Sequence, residues 1–263
     1  MNGACALVLA AIVASTPALA ADPFASDWAV AAKSRARLIA DGAGGAGIEI
    51  ELAPGAITYW RDPGESGVPP TFDFSASQNV ASAEVDFPAP TRIAEPDGTS
   101  ANGYRERVVF PVRVTGAEAG RPSVLRLNAS YAVCEKICLP ARAALSLELP
   151  SGVSGSHGAA LAAARDLTPK KRAFSELGGQ VKALGANAWR LCVPTPGAEA
   201  PTLFVEAPRG AWIEAGPARA EADRACFALT LREPPTDAQA PLKVTATLTG
   251  AERAEETSFE LPR

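Results

Sequence analysis

Leu125-Arg-Leu-Asn-Ala-Ser-Tyr-Ala-Val-Cys134-Glu-Lys-Ile-Cys138-Leu-Pro-Ala-Arg-Ala-Ala-Leu-Ser-Leu-Glu-Leu149 holds two alternating runs on either side of a close cysteine pair. Leu125, Leu127, Ala129 and Tyr131 fall on one side of an extended chain, and Arg126, Asn128 and Ser130 on the other. Ala143, Leu145, Leu147 and Leu149 repeat the pattern after the cysteines. A period of two with one apolar side marks a half-buried strand. The same period recurs upstream. Ile48, Ile50 and Leu52 flank Glu49 and Glu51; Ala83, Val85 and Phe87 flank Glu84 and Asp86; Val108, Phe110, Val112 and Val114 line one face of a further run. Such strands, separated by Pro/Gly-rich turns, predict an all-β, antiparallel β-sandwich over residues 21–150. Pro111 has no N–H for a ladder, so its strand is expected at a sheet edge or at a bulge.

Pro150-Ser-Gly-Val-Ser-Gly-Ser-His-Gly158 has the composition of a linker. Ala159 to Leu167 favours a short helix, stopped before Pro169. Residues 151–177 therefore read as linker and helix. A second β-rich domain is expected over 178–263, with strand patterns at Trp189 to Val193, Leu203 to Glu206, Cys226 to Leu231, Leu242 to Leu248 and Ser258 to Leu261. That length suffices for a smaller sandwich-like domain.

Residues 1–20 read as a secretory signal peptide. Ala6 to Ala14 is apolar but too short to span a bilayer, and Ala18-Leu-Ala20 offers a small-x-small cleavage site before Ala21-Asp22. The segment holds no Lys or Arg, so the terminal amine is its positive charge. No later segment approaches the ~18 apolar residues of a membrane helix, so export without membrane insertion is expected. A net charge of −4, with Lys170-Lys171-Arg172 as its one basic cluster, argues against nucleic acid as a partner. Cys5 would leave with the signal. Four cysteines then remain, an even number suited to an oxidising compartment. They permit three connectivities, and proximity favours Cys134–Cys138 with Cys192–Cys226.

A Cys134–Cys138 bridge closes a ring of five residues. Chain entropy makes that worth about 2 kcal/mol, against about 4 for a Cys192–Cys226 ring. The close pair is a poor staple. Thiol–disulfide exchange gives its position a reason, because a short accessible ring opens and closes without unfolding the domain. Lys136 and Arg142 favour a thiolate there, whereas Glu135 and the apolar Ile137 and Leu139 oppose it. Cys192 and Cys226 lie within strand patterns, and a buried structural disulfide is their expected role. His157, the one histidine, sits among Gly and Ser and is expected to be solvated, which leaves no Ser-His-Asp or Cys-His arrangement. No C-x-x-C-H site, P-loop or dinucleotide fingerprint is present, and no cofactor is expected. Two thiolates are soft ligands for Cu(I), but Met1, in the signal, is the only methionine available as a thioether.

Three separated motifs carry a family resemblance: Tyr59-Trp-Arg-Asp-Pro-Gly-Glu-Ser-Gly-Val-Pro-Pro-Thr-Phe-Asp-Phe-Ser75, Gly103-Tyr-Arg-Glu-Arg-Val-Val-Phe-Pro-Val112 and Val133-Cys-Glu-Lys-Ile-Cys-Leu-Pro140. In order and spacing they resemble the N-terminal periplasmic domain of the disulfide reductase DsbD and its ScsB-type relatives, over roughly residues 45–150. The second half resembles the trailing β domain of ScsB-type members. The resemblance implies an immunoglobulin-like sandwich in the periplasm, in which Cys134 and Cys138 cycle between dithiol and disulfide. It implies a membrane-embedded reductase or thioredoxin-like protein as donor. The implied acceptors are periplasmic disulfide oxidoreductases or isomerases, including proteins of cytochrome c maturation. The chain carries neither a membrane domain nor a thioredoxin-like domain and is expected to be one component of such a relay. Three residues separate its cysteines, as in the ScsB type, where the best-known DsbD form has five.

By the same resemblance, the loop Ala94-Glu-Pro-Asp-Gly-Thr-Ser-Ala-Asn102 corresponds to a cap over the disulfide, without the aromatic that shields the sulfurs in DsbD. Tyr59, Trp60, Tyr104 and Tyr131 are candidates for an apolar rim, with the core the expected place for Tyr131. Glu95 and Asp97 are candidates for tuning proton transfer. Two other classes compete with exchange: a Cu(I)-handling module connected to copper tolerance, and an interaction module whose cysteines only brace a hairpin.

Overall fold

The computed structural model describes residues 22–262 apart from 96–97, 151, 153–154, 195–199, 236–240 and 251–253. The signal read at 1–20 and the candidate Asp97 lie outside the described residues. The first domain runs β1 (Ala29–Ala31), β2 (Ser34–Ala40), β3 (Gly45–Leu52), β4 (Ile57–Gly64), β5 (Thr71–Asp73), β6 (Val80–Val85), β7 (Thr91–Ala94), β8 (Ser100–Arg105), β9 (Arg107–Gly116), β10 (Val124–Cys134) and β11 (Cys138–Glu148). Two antiparallel sheets result, in the orders β1-β2-β3-β9-β6 and β11-β10-β4-β8-β7, with β5 beside β10. The alternating runs around the cysteines are β10 and β11, paired without a slip from Val124↔Glu148 to Cys134↔Cys138. Their apolar side, from Leu125 to Tyr131 and from Ala143 to Leu147, packs with Ile48, Ile50 and Phe110 of the facing sheet.

Pro111 corrects the edge-or-bulge expectation. It lies in β9, between β3 and β6, paired in register with Gly47. A strand residue's nitrogen and carbonyl point to the same side, and the Pro111 carbonyl accepts from the Asp86 N–H at 2.8 Å. The ring nitrogen therefore faces Asp86, the residue after β6 ends at Val85, so the one bond that Pro111 cannot return falls just past the end of that strand.

On the outer side of β3, Glu49 is 1% exposed. Arg37 Nε and Arg107 Nε donate to its two oxygens at 2.6 and 2.5 Å. Burial alone would raise the carboxyl's pKa, but the two guanidinium groups outweigh it and hold it below the usual carboxylate range. A depressed folded pKa gives stability that is present above the unfolded value and lost as the pH falls through the folded one. Glu49→Gln is expected to destabilise the domain by about 2–3 kcal/mol at neutral pH, the arginines' partial solvation reducing the cost of breaking a buried ion pair. Urea melts should show that gap closing in acid, where the parent carboxylate is itself protonated.

Helix α1 (Gly158–Asp166) matches the expected helix within a residue and seats Leu161 and Ala164 on Ile39 and Val109 of the first domain. This docking corrects the reading of His157 as a solvated linker residue. Its ring Nε2 is 2.9 Å from Asp22 Oδ2, and its side chain is 12% exposed. Among the described residues no helix is long and apolar enough to cross a membrane.

The second domain comprises β12 (Lys170–Lys171), β13 (Gln180–Gly185), β14 (Ala188–Pro194), β15 (Thr202–Glu206), β16 (Trp212–Ala215), β17 (Arg219–Glu221), β18 (Arg224–Glu233), β19 (Leu242–Thr249) and β20 (Glu255–Leu261). Its sheets run β12-β20-β19-β15 and β13-β14-β18-β16, with β17 beside β18. Trp189, Leu191, Leu203, Phe227, Leu229, Val244 and Phe259 lie in its core. The β12 strand, inside the stretch read as linker, pairs parallel to β20. Cys192 and Cys226 oppose each other across β14 and β18 and form a disulfide, with 7% and 4% exposure. Phe204 of β15 reaches into the first domain's core, edge-on to Trp60 with ring centroids 5.8 Å apart. Arg61 of β4 pairs with Glu206 and Glu256 of the second domain.

Candidate functional site

The β10–β11 hairpin ends in the turn Glu135-Lys136-Ile137, and its last register pair is Cys134 and Cys138. The two are disulfide-bonded, with Cα atoms 4.1 Å apart. The sulfur-bearing residues are not equivalent. Cys134 is 4% exposed, enclosed with Ile57, Tyr59, Ile93, Ala101 and Ala132, whereas Cys138 is exposed. Beyond it Ile137 is 67% exposed.

The register between β4 and β10 decides which aromatic meets the sulfur. Ile57 pairs with Cys134 and Thr58 with Val133. Alternation then puts Tyr59 on the Cys134 side and Trp60 in the core. Tyr59 Oη donates to Cys134 Sγ at 2.8 Å and lies 3.5 Å from Cys138 Sγ. Burial, then the negative charge of Glu95, raises the Tyr59 pKa, so the hydroxyl keeps its proton and remains a donor. Gly67, at φ +105°, fits against the ring; a Cβ there would stand 2.3 Å from Tyr59 Cε1, so no other residue leaves the tyrosine where it is. At the turn, Lys33 pairs with Glu135 and lowers its pKa.

Residues 26–150 match the sequence profile of the family described as thiol:disulfide interchange protein DsbD, N-terminal. The first domain belongs to the DsbD N-terminal family. The whole chain is similar to the crystal structure of the N-terminal periplasmic domain of ScsB from Proteus mirabilis, with a TM-score of 0.70 at 20% identity. That likeness covers 91% of this chain and 99% of the ScsB chain, so the fold is shared across both β domains. No curated protein matches.

Within the DsbD N-terminal domain, the residues singled out from sequence separate. Tyr59 stands on the disulfide, and Glu95, just after β7, lies within electrostatic reach of its hydroxyl. Trp60, Tyr104 and Tyr131 lie in the core. Tyr104 Oη donates to the Pro88 carbonyl at 2.8 Å, and Tyr131 Oη shares a hydrogen bond with Ser34 at 3.0 Å. Ala101, which covers Cys134, falls in the segment expected to cap the disulfide; sequence reasoning missed Ile93, which covers it beside Ala101, and Lys33, which meets the turn from 102 positions away. Gly67 was within reach, since it belongs to the motif that begins at Tyr59.

Proposed function

We propose that the chain is a periplasmic thiol–disulfide exchange protein, exported by the signal at 1–20. It would pass reducing equivalents from a membrane-embedded reductase or thioredoxin-like donor to periplasmic oxidoreductases or isomerases through Cys134 and Cys138. The observation that carries this reading is the asymmetry of the pair: one exposed cysteine, and one buried beneath a tyrosine O–H. A donor thiolate attacks Cys138 Sγ, the Cys134–Cys138 bond breaks, and its electron pair stays on Cys134 Sγ. The Tyr59 O–H, already aimed at that sulfur, stabilises the thiolate as it forms. The donor's second thiol, giving up its proton, then attacks the donor sulfur of the mixed disulfide and leaves as an oxidised pair. The domain is left with two thiols. Cys138 repeats the exchange in the forward sense on an acceptor disulfide, and Cys134 resolves it.

Thiol trapping in dithiothreitol or glutathione buffers tests the reading. Reversible reduction of Cys134–Cys138 with the fold intact is expected; a bridge that opens only on unfolding overturns the proposal. Tyr59→Phe keeps the ring and removes the donor. Reduction by dithiothreitol is expected to slow about tenfold, the factor equivalent to losing one hydrogen bond to a charged group, with little change in melting temperature.

A further inference from the structure

We propose that Arg92 is a positioning residue through which the second domain holds the strands that cover Cys134, and so sets how readily the disulfide is reached. Strands β7 and β8 pair Arg92 with Asn102 and Ile93 with Ala101. Ile93 and Ala101 are the side chains that bury Cys134 and Tyr59 from this side. Arg92, one step along the strand, turns the other way. Its guanidinium donates to the Leu203 carbonyl at 2.8 Å and the Ala215 carbonyl at 3.4 Å, and lies 5.3 Å from the centre of the Phe204 ring. Those acceptors belong to β15 and β16, one from each sheet of the second domain.

The position of β7 gives this contact its leverage. It is the outermost strand of its sheet, with β8 as its one neighbour there. Four register pairs and the Arg92 fork therefore hold it in place. Strand β4, on the other side of β8, carries Tyr59 and is tied to the same domain through Arg61. A cavity of about 230 Å³ lies at this junction, lined by Asp62, Arg92, Asn102, Phe204, Trp212 and Glu214. It leaves β7 and β8 room to move once the fork is released. Gating of exchange by this contact rests on the function proposed above.

The test compares the parent chain with Arg92→Ala and Arg92→Lys. Two quantities are read: the rate of Cys134–Cys138 reduction by dithiothreitol, and amide hydrogen exchange across Thr91–Ala94 and Ser100–Arg105. For Arg92→Ala, reduction about tenfold faster and raised exchange in both strands are expected, the factor that follows from losing a charge-assisted hydrogen bond. Arg92→Lys, which keeps the charge but not the fork, should fall between, and it decides the matter if the alanine variant does not fold. Parent-like reduction and hydrogen exchange in the folded variants overturn the positioning role alone. A parent disulfide that resists reduction until the chain unfolds overturns the exchange reading instead.

Discussion

Cys134→Ser is expected to leave a chain that captures one small disulfide and cannot let go. With glutathione disulfide as the probe, the exposed Cys138 thiolate forms a mixed disulfide that has no neighbouring thiol to resolve it. Mass spectrometry should find one adduct, at Cys138. Cys138→Ser leaves the other thiol enclosed by Ile57, Tyr59, Ile93, Ala101 and Ala132. Its adduct must wait for local opening, and should form on the order of a hundredfold more slowly. Net two-electron exchange is lost in both variants. Equal adduct rates would show that the enclosure of Cys134 has no chemical consequence, and would remove the assigned order of attack.

Cys192→Ser/Cys226→Ser is expected to lower stability by about 2–5 kcal/mol, as loss of a native disulfide commonly does. The two cysteines face each other across β14 and β18, strands flanked by neighbours within their sheet. Their sulfurs are buried, and opening the bridge frees a loop spanning 34 positions. The melting temperature of the second domain should fall, while Cys134–Cys138 reduction below that temperature stays within about twofold of the parent, as additivity between distant sites predicts. Calorimetry and thiol trapping on the same samples check both halves. A folded double variant that has lost exchange would place this pair in the relay and end its assignment as a staple.

The fold was legible where period two was strict. From Leu125 to Leu149 the side-chain parity and the core face follow from alternation and the cysteine pairing from proximity, because a hairpin closed by a short turn has little freedom of register. The site was only half legible. Tyr59 and Trp60 must face opposite ways in a strand, but which one meets the sulfur depends on Ile57 lying opposite Cys134, a pairing between segments that no local pattern contains. Tyr131 lies in the core, where its alternating face put it, whereas Tyr104 was a rim candidate on chemistry alone and its hydroxyl finds the Pro88 carbonyl inside the core instead. Pro111 misled because the rule about edges assumes a neighbour along the whole strand, and β6 stops one residue short of needing its N–H. His157 misled because composition reports what a linker is made of, not whether a helix beyond it docks. The Arg92 contact joins residues 111 and 123 positions apart, a separation over which sequence carries no signal.

The unslipped hairpin also governs the reduced state. Breaking the Cys134–Cys138 bond removes none of the ladder from Val124↔Glu148 to Val133↔Leu139, nor the pairing of Ile57 with Cys134. The two thiols therefore stay face to face on a frame that does not depend on their bond. Each is presented to the other at the high effective concentration of a preorganised intramolecular pair. Under the proposed exchange, a partner bound through Cys138 would meet a competitor already in place, and the lifetime of the covalent complex is expected to follow the frame of the hairpin more than the strength of docking. Lengthening the Glu135-Lys136-Ile137 turn would dilute that competitor, and the mixed disulfide is then expected to outlive the parent's.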